Sequence, residues 1–568
     1  MYPSSFAPSL LVRDFVQRPA ALLLPLLSGI AAGLAIACLI GQPPWGDQAL
    51  YLVAAGKALG GLEFGRDIID VNPPLILWLT EIPVLLSRLT GMLPQMAMQI
   101  LLGLLTAGIL LWCLTLLRRP GRSLQPGLLE CGMAALILYA TTVHPWYHLG
   151  TREHILLLFL LPYLILAWRR LADLSNVPLV QSLGAGLLAI SGCGLKPQHL
   201  LVIIAVEAMI LLRTGGLHLI LRPEAVAIVA GGLAYCASIV LLTPQYLSQV
   251  VPFAMEAYLD RAAVGWVELI DPLRALKIIG VLLAWIALRR WSMHRALADI
   301  FIVAGIGAAA AYLLQRKAYE YQFVPAQAFF ILALGTTILG ILIRRFGHWL
   351  SPASAATTAL CVFLGAVTAA ATAYPGQAQR AATQWTDVRK TARTAIVPHI
   401  PRGSTVFVLS SSVGGIYDHL LRQGLEWGSR FTALWMTQAL LTREMSTPRE
   451  KALVQWTRDA VTEDLRHYRP SLILVDRCND PAFPPCLELG GQYGDLLAWF
   501  RQDSAFEAAW SDYRFSRQIG PYDLWCAAAD PAACEAVMAN LKPEPERALA
   551  ETPAGDSPDP ASRPAAAE

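Results

Sequence analysis

Apolar runs of about 20 residues, the length that crosses roughly 30 Å of hydrocarbon, recur along the chain between short polar turns. The first covers about 20–40. Others follow at about 96–117, 126–143, 155–168, 179–194, 198–212, 224–243, 273–288, 297–314, 324–343 and 352–373. This pattern predicts a polytopic α-helical membrane protein with about 11 transmembrane helices. One further run, 74–92 (PPLILWLTEIPVLLSRLTG), is apolar but broken by Glu81, Pro83 and Arg88. Counted as a span, it would put Arg118, Arg119 and Arg122 outside. Taken as a helix lying in or dipping into the outer interface, it puts them inside. With the second reading, Arg118-Arg119, Arg169-Arg170, Arg289-Arg290 and Arg344-Arg345 all fall on the cytoplasmic face.

Charge then fixes the orientation. Arg13 and Arg18 flank the first run, which is long enough to span, so it is expected to be a retained helix with the N-terminus in the cytoplasm. Of the 568 residues, 55% are hydrophobic and only 15% charged, which excludes a soluble enzyme with a single anchor. The setting this implies is a bacterial inner membrane, with no nucleic-acid partner expected.

The pattern changes after the eleventh run. In residues 376–545, β-rich stretches at 404–410 (STVFVLS) and 471–475 (SLILV) flank a helical segment ending at Pro470, and YRFSRQIGPYDLWCA reads as two strands around a Gly-Pro turn. A C-terminal α/β periplasmic domain is expected, acting as a lid or acceptor-docking module, since it holds no glycine-rich phosphate loop or metal motif. Residues 546–568, rich in Ala, Pro, Asp and Glu, read as a disordered tail. Six of the ten cysteines lie in apolar runs. Cys478, Cys486, Cys526 and Cys534 lie in the polar domain and fit two disulfides in an oxidising compartment. Of three connectivities, the local one joins Cys478 to Cys486 and Cys526 to Cys534. The spacings are not those of a C-x₂-C zinc site.

The chemistry concentrates in the loop after the first run. Residues 41–74 carry Asp47, Lys57, Glu63, Arg66, Asp67 and Asp70 and close on Asn72-Pro73-Pro74. An aspartate directly after span one, a tyrosine four residues on (Asp47, Tyr51) and then Asp67-x-x-Asp70-x-x-Pro73-Pro74 resemble the first external loop of the GT-C membrane glycosyltransferases. The likeness is to the bacterial branch related to protein mannosyltransferases and lipid A aminoarabinose transferases. It is strong over this loop and looser over residues 1–375, the expected transmembrane catalytic domain, of which 41–94 form the first external loop and interfacial helix. The resemblance implies that the loop bears the catalytic aspartate, Asp47.

Two roles are open to Asp47: general base toward an acceptor hydroxyl, or ligand of a divalent cation, with Glu153 as the second acid if a metal is held. Glu153, in HLGTREH, matches a second family acid by position only, where an aspartate is usual. Asp67 and Asp70 are candidates for sugar hydroxyls, and one of them could instead hold Arg66. Relatives often carry Lys-Pro-Pro where this chain has Asn72-Pro73-Pro74, so the donor contacts of a lysine do not carry over. Lys196 in GLKPQH and Arg316 and Lys317 in QRKAYEYQ are cations at outer span ends, suited to a departing lipid phosphate. Both loops resemble the family, by Lys-Pro after span five and Gln-x-Lys followed by aromatics after span nine. Tyr319 and Tyr321 could stack on a sugar or sit in the aromatic belt.

The expected activity is therefore inverting transfer of a sugar from a polyprenyl-phosphate donor to lipid A, polysaccharide or protein on the periplasmic face. The alternatives are a lipid-linked glycan polymerase or ligase, or a flippase. A flippase should show broken or polar segments near mid-span in paired halves, whereas the charges here sit at outer ends.

Overall fold

The computed structural model describes residues 46–118, 127–145, 148–172, 177–216, 221–260, 265–349, 395–411, 417–441, 447–477 and 494–541. The expected first and eleventh spans, Cys478, Cys486 and the 546–568 tail lie outside these residues.

Every apolar run between 96 and 343 becomes a helix. After α1 (Gly46–Ala58) and α2 (Leu75–Thr90) come α3 (Pro94–Leu117), α4 (Leu128–Leu138, continued by a π-turn over Tyr139–Val143), α5 (Arg152–Leu171), α6 (Leu179–Leu195) and α7 (Leu200–Thr214). Then follow α8 (Pro223–Leu242), α9 (Pro272–Leu288), α10 (Arg295–Gln315) and α11 (Val324–Phe346). Six described segments are long and apolar enough to cross a membrane: α3, α5, Pro197–Thr214, α8, α10 and Glu320–Phe346. Leu128–Val143 and α6 are apolar but shorter.

Burial sorts these helices. Every residue of α5 from Arg152 to Arg169 is buried, as expected of a helix apolar on all sides, and α5 is the axis of the bundle. By contrast α9 has no buried residue. Its Leu273, Leu276, Ile279, Leu283 and Ile286 form an exposed apolar stripe at helical spacing, a face for lipid. The arginines at one end of the bundle are paired: Arg170 to Glu224 at 2.9 Å, and both Arg213 and Arg289 to Asp299 at 2.6 Å. Because α5 carries Arg170 at its C-terminus and Arg152 at its N-terminus, these pairs mark the end opposite the first loop.

The broken run 74–92 is the separate helix α2, laid against α1. Arg88 donates to the carbonyls of Leu59 (3.2 Å) and Gly56 (3.0 Å), and Thr80 Oγ1 to that of Tyr51 (3.5 Å). One face of α2 is buried through Ile76, Leu77, Thr80 and Val84, while Ile82, Leu85 and Leu89 are exposed. This two-faced pattern is the one expected of an interfacial helix. The loop between α1 and α2 turns at Gly65, with φ +95°, and a side chain there would collide with the Gln245–Tyr246 backbone.

The C-terminal part is a small α/β unit. β1 (Thr405–Leu409), β2 (Glu426–Trp427), β3 (Leu472–Asp476), β4 (Tyr513–Ile519) and β5 (Tyr522–Ala527) form one sheet in the order β2-β1-β3-β5-β4. β1 runs parallel to β2 and β3, while β5 is antiparallel to β3 and β4. The long helix α12 (Pro448–Tyr468) leads into β3, its start fixed by a Thr447–Glu450 capping box. Cys526 and Cys534 form a disulfide with Cα atoms 5.8 Å apart.

This unit rests on the first loop. Ile69 and Phe431 make a parallel β-bridge, with Ile69 N–H donating to Arg430 O at 2.7 Å. Lys57 Nζ donates to Ser429 O at 2.5 Å and stands 4.5 Å above the Tyr468 ring. Phe253, in the segment after α8, packs against Trp435 and Trp456 at 6.2 and 5.1 Å, and Arg449 pairs with Glu256.

Candidate active site

Four chain segments converge at the end of the bundle away from the arginine pairs. α1 begins there and carries Asp47 in its first turn and Tyr51 one turn on. α5 begins there and presents Arg152 and Glu153, its N-terminus capped by the Thr151 side chain. α6 ends there at Lys196, and α10 ends there at Gln315. Helix direction alone explains the meeting: α5 runs away from this end, and α6 and α10 run toward it.

The 148–151 turn is fastened to α1 by a hydrogen bond from Gln48 Nε2 to Leu149 O. Gly150 sits at φ +77°, where a side chain would strike Gln48. Lys196 Nζ lies 2.6 Å from Glu153 Oε1, with side chains only 7% and 1% exposed, and 3.3 Å from Gln315 Oε1. It also stands 5.7 Å from the Tyr321 ring centre. Tyr321 in turn stacks on Tyr319 (5.6 Å, 8°) and faces His148 at 6.1 Å. The Arg152 guanidinium stands 5.8 Å from the Tyr51 ring centre. Asn72 Nδ2 donates to Tyr51 OH at 3.3 Å, which ties the end of the loop back to α1.

Asp47 is partly buried among these groups. Loss of water holds its carboxyl above the usual range, against the charges of Arg152 and Lys196 and with the help of Glu153. Asp70 is buried at 4% exposure; it accepts from Asn72 N–H (2.8 Å) and from Thr432 Oγ1 of the C-terminal unit (3.3 Å). Burial pushes its carboxyl up to about 6, opposed by those bonds and by Arg152. Burial likewise drives the Tyr51 hydroxyl well above its ordinary range.

The expected site residues divide. Asp47, Asp70, Glu153, Lys196 and Tyr321 come together, and Lys317 is buried nearby on the loop after α10. Arg316 and Ala318, on either side of Lys317, have φ of +51° and +55°, so a strained backbone carries that lysine. Arg316 itself lies 5.3 Å over the Trp266 ring, and Tyr319 is exposed. Asp67 does not join the cluster. It binds Arg66 (2.9 and 3.1 Å) and accepts from Glu63 N–H (3.0 Å), and the Arg66 contact holds its carboxyl below the usual range. The reading of the sequence gave no role to Arg152, although it adjoins Glu153 in a motif already singled out. Gln48, Gln315 and Thr432 also went unassigned, for want of any local signal. Among the described residues, no group of three or more His, Cys, Asp or Glu side chains is placed to hold a metal ion.

No family model and no curated protein matches the chain. Solved structures do. ArnT from Cupriavidus metallidurans in the apo state superposes with a TM-score of 0.54 over 91% of this chain and 98% of that one, at 11% identity. The same protein bound to undecaprenyl phosphate gives 0.51 over 88% and 97%, also at 11% identity. At that identity the likeness shows the fold alone: an ArnT-like polytopic helical bundle with a C-terminal α/β domain.

Proposed function

Taking the GT-C fold as the premise, we propose that this protein is an inverting glycosyltransferase using a polyprenyl-phosphate-linked sugar. The observation that carries the reading is the convergence of Asp47 with Arg152, Glu153 and Lys196 at one end of the bundle. In addition, a solved structure of the same fold binds undecaprenyl phosphate.

Asp47 acts as the base. The acceptor hydroxyl attacks the anomeric carbon and its proton passes to the Asp47 carboxylate. The bond from the anomeric carbon to the phosphate oxygen breaks, and polyprenyl phosphate leaves with the electron pair. A single attack on the face opposite the leaving group inverts the carbon. A carboxyl raised by burial is a better base than one in water. Lys196 is fixed by Glu153 and Gln315, so it holds the floor of the site. Asp70 and Tyr321 flank the sugar. The acceptor is a cell-envelope lipid, polysaccharide or protein. Residues 1–375 form the catalytic domain in the bacterial inner membrane, with the N-terminus in the cytoplasm. Residues 376–545 form a periplasmic domain that closes over the first loop.

The test is transfer from one radiolabelled polyprenyl-phosphate sugar by the purified protein. Label should move to an envelope acceptor with wild type and not with Asp47→Asn at equal folding. Movement of labelled lipid across a vesicle bilayer without covalent change would replace this reading with transport.

A further inference from the structure

At the end of the bundle opposite the candidate site, two guanidiniums share one carboxylate. Asp299, near the start of α10, is buried. Arg289, just past α9, closes a fork on it, with Nε donating to Oδ1 at 3.1 Å and Nη2 to Oδ2 at 2.6 Å. Arg213, in the last turn of α7, reaches the same Oδ2 with Nη2 alone, also at 2.6 Å. The Arg213 side chain stays 42% exposed, and its other N–H groups meet no partner among the described residues. One negative charge therefore answers two positive ones.

The imbalance is local. Arg170 and Arg222, at the same end, meet Glu207 and Glu224, two acids for two bases. Asp299, by contrast, is the only acid in the sequence from 272 to 319. Further arginines stand beside it. Arg290 lies 4.1 Å over the ring of exposed Trp291, and Arg344, from α11, donates to Trp291 O at 3.4 Å. Four guanidiniums thus gather where the ends of α7, α9 and α11 surround the start of α10, against a single carboxylate. Like charges this close repel, and the surplus calls for an anion that the chain does not supply.

The surroundings say which anion. Beside the arginines the surface is apolar: Leu212 on α7, Ile286 on α9 and Leu342 on α11 are all exposed. In a polytopic membrane bundle such residues face acyl chains. Trp285, whose ring lies 5.1 Å from the Arg289 guanidinium, and Trp291 are amphipathic rings of the kind that sit at headgroup level. A free phosphate would meet the arginines but leave the apolar rim bare, whereas a phospholipid covers both. Guanidinium forks match phosphate oxygens, and basic pockets between membrane helices hold anionic headgroups.

We propose that Arg213, Arg289, Arg290 and Arg344 bind the headgroup phosphate of an anionic phospholipid in the leaflet at this end of the bundle. The site stands on the fold and does not depend on the transfer reading. A lipid held there clamps α9, which has no buried residue of its own, to its neighbours.

Full-length protein in detergent is titrated with phosphatidylglycerol, with phosphatidylcholine and with inorganic phosphate. Native mass spectrometry counts retained lipid, and tryptophan fluorescence follows thermal unfolding. Wild type should retain phosphatidylglycerol over phosphatidylcholine by about tenfold, and phosphatidylglycerol alone should raise the melting temperature. Arg213→Gln leaves Asp299 forked by Arg289, so it should fold, with affinity for phosphatidylglycerol down about fivefold, the worth of one arginine at an anionic lipid. Arg345→Gln removes one charge from the same end outside the cluster and should keep wild-type affinity. An Arg213→Gln protein with wild-type affinity overturns the site. An equal loss in Arg345→Gln also overturns it, by showing diffuse attraction to the whole end. Phosphatidylcholine retained as well as phosphatidylglycerol does the same, and inorganic phosphate that stabilises as strongly overturns the lipid as the occupant. Should Arg213→Gln not fold, Arg290→Gln decides, since that side chain pairs with no acid among the described residues. A loss of more than about twofold supports the proposal, and a smaller one overturns it.

Discussion

Lys196 Nζ and Glu153 Oε1 stand 2.6 Å apart, one at the end of α6 and the other at the start of α5. Both side chains are almost fully buried. Such a pair defines a geometry more than it adds stability, because two desolvation costs offset most of the attraction. Breaking it from one side exposes that cost. Lys196→Met should destabilise the protein by about 3–5 kcal/mol, and the double variant Glu153→Gln/Lys196→Met should recover most of the loss. Thermal unfolding in detergent checks this. A double variant as unstable as the single one would show that the pair is not the cause.

Asp47→Asn should lower the transfer rate by about 10²–10⁴-fold, the usual contribution of a positioned base. The base must be ionised to work, so the wild-type rate should fall as pH drops through the Asp47 pKa. That acid limb should lie above the ordinary carboxylate range, because burial raises this group. Arg152 pulls the other way, so in Arg152→Lys, which keeps the charge, the limb should stay put, and in Arg152→Gln it should move to higher pH. A pH–rate profile at saturating donor measures both.

Asp70 gives a stability prediction that needs no substrate. Its folded value of about 6 lies above the ordinary 3.8, so the folded protein favours the protonated form. Below about pH 4 the group is protonated folded or unfolded and contributes nothing. Between about pH 4 and 6 the unfolded chain ionises while the folded one holds its proton, so the folded state loses stability, reaching a penalty of roughly 3 kcal/mol once both are ionised above 6. Asp70→Asn removes that penalty and keeps an acceptor for Asn72 and Thr432. Its melting temperature should therefore exceed wild type at pH 7.5, with the gap closing as pH falls from 6 to 4.

Lys57 ties α1 to the C-terminal unit through Ser429 O and the Tyr468 ring, at a site where burial lowers its pKa to about 8. Lys57→Met removes the bond and keeps the apolar stem. Amide hydrogen exchange should then speed up in 429–432 and in 66–70, which are bonded to each other, and remain unchanged in α5. Uniform protection across both segments would show that the remaining contacts hold the unit alone.

The helices were legible because lipid demands long apolar stretches, and each run from 96 to 343 keeps its place to within a few residues. Glu81, Pro83 and Arg88 set the 74–92 run apart from the others, and it folds as a two-faced helix. The partners within the site were not legible. Asp67 and Asp70 look equivalent at a spacing of three, but they lie in a loop that turns at Gly65 and pairs Phe64 with Ile68. The two carboxylates therefore part, one toward Arg66 and the other inward. Arg152 and Glu153 are adjacent, yet only Glu153 meets Lys196, a choice made by helix packing far along the chain. Thr432 reaching Asp70 crosses between the bundle and the α/β unit, and no local pattern encodes it.

The Ile69–Phe431 bridge joins backbone to backbone, so it is indifferent to which side chains stand at either position. Substitutions on either surface can accumulate without uncoupling the two halves, but a shortened chain ending before residue 395 would leave the Ile69 amide with no mate. The aspartate-bearing loop would then lose its splint, and the helices by themselves would leave it loose along one edge.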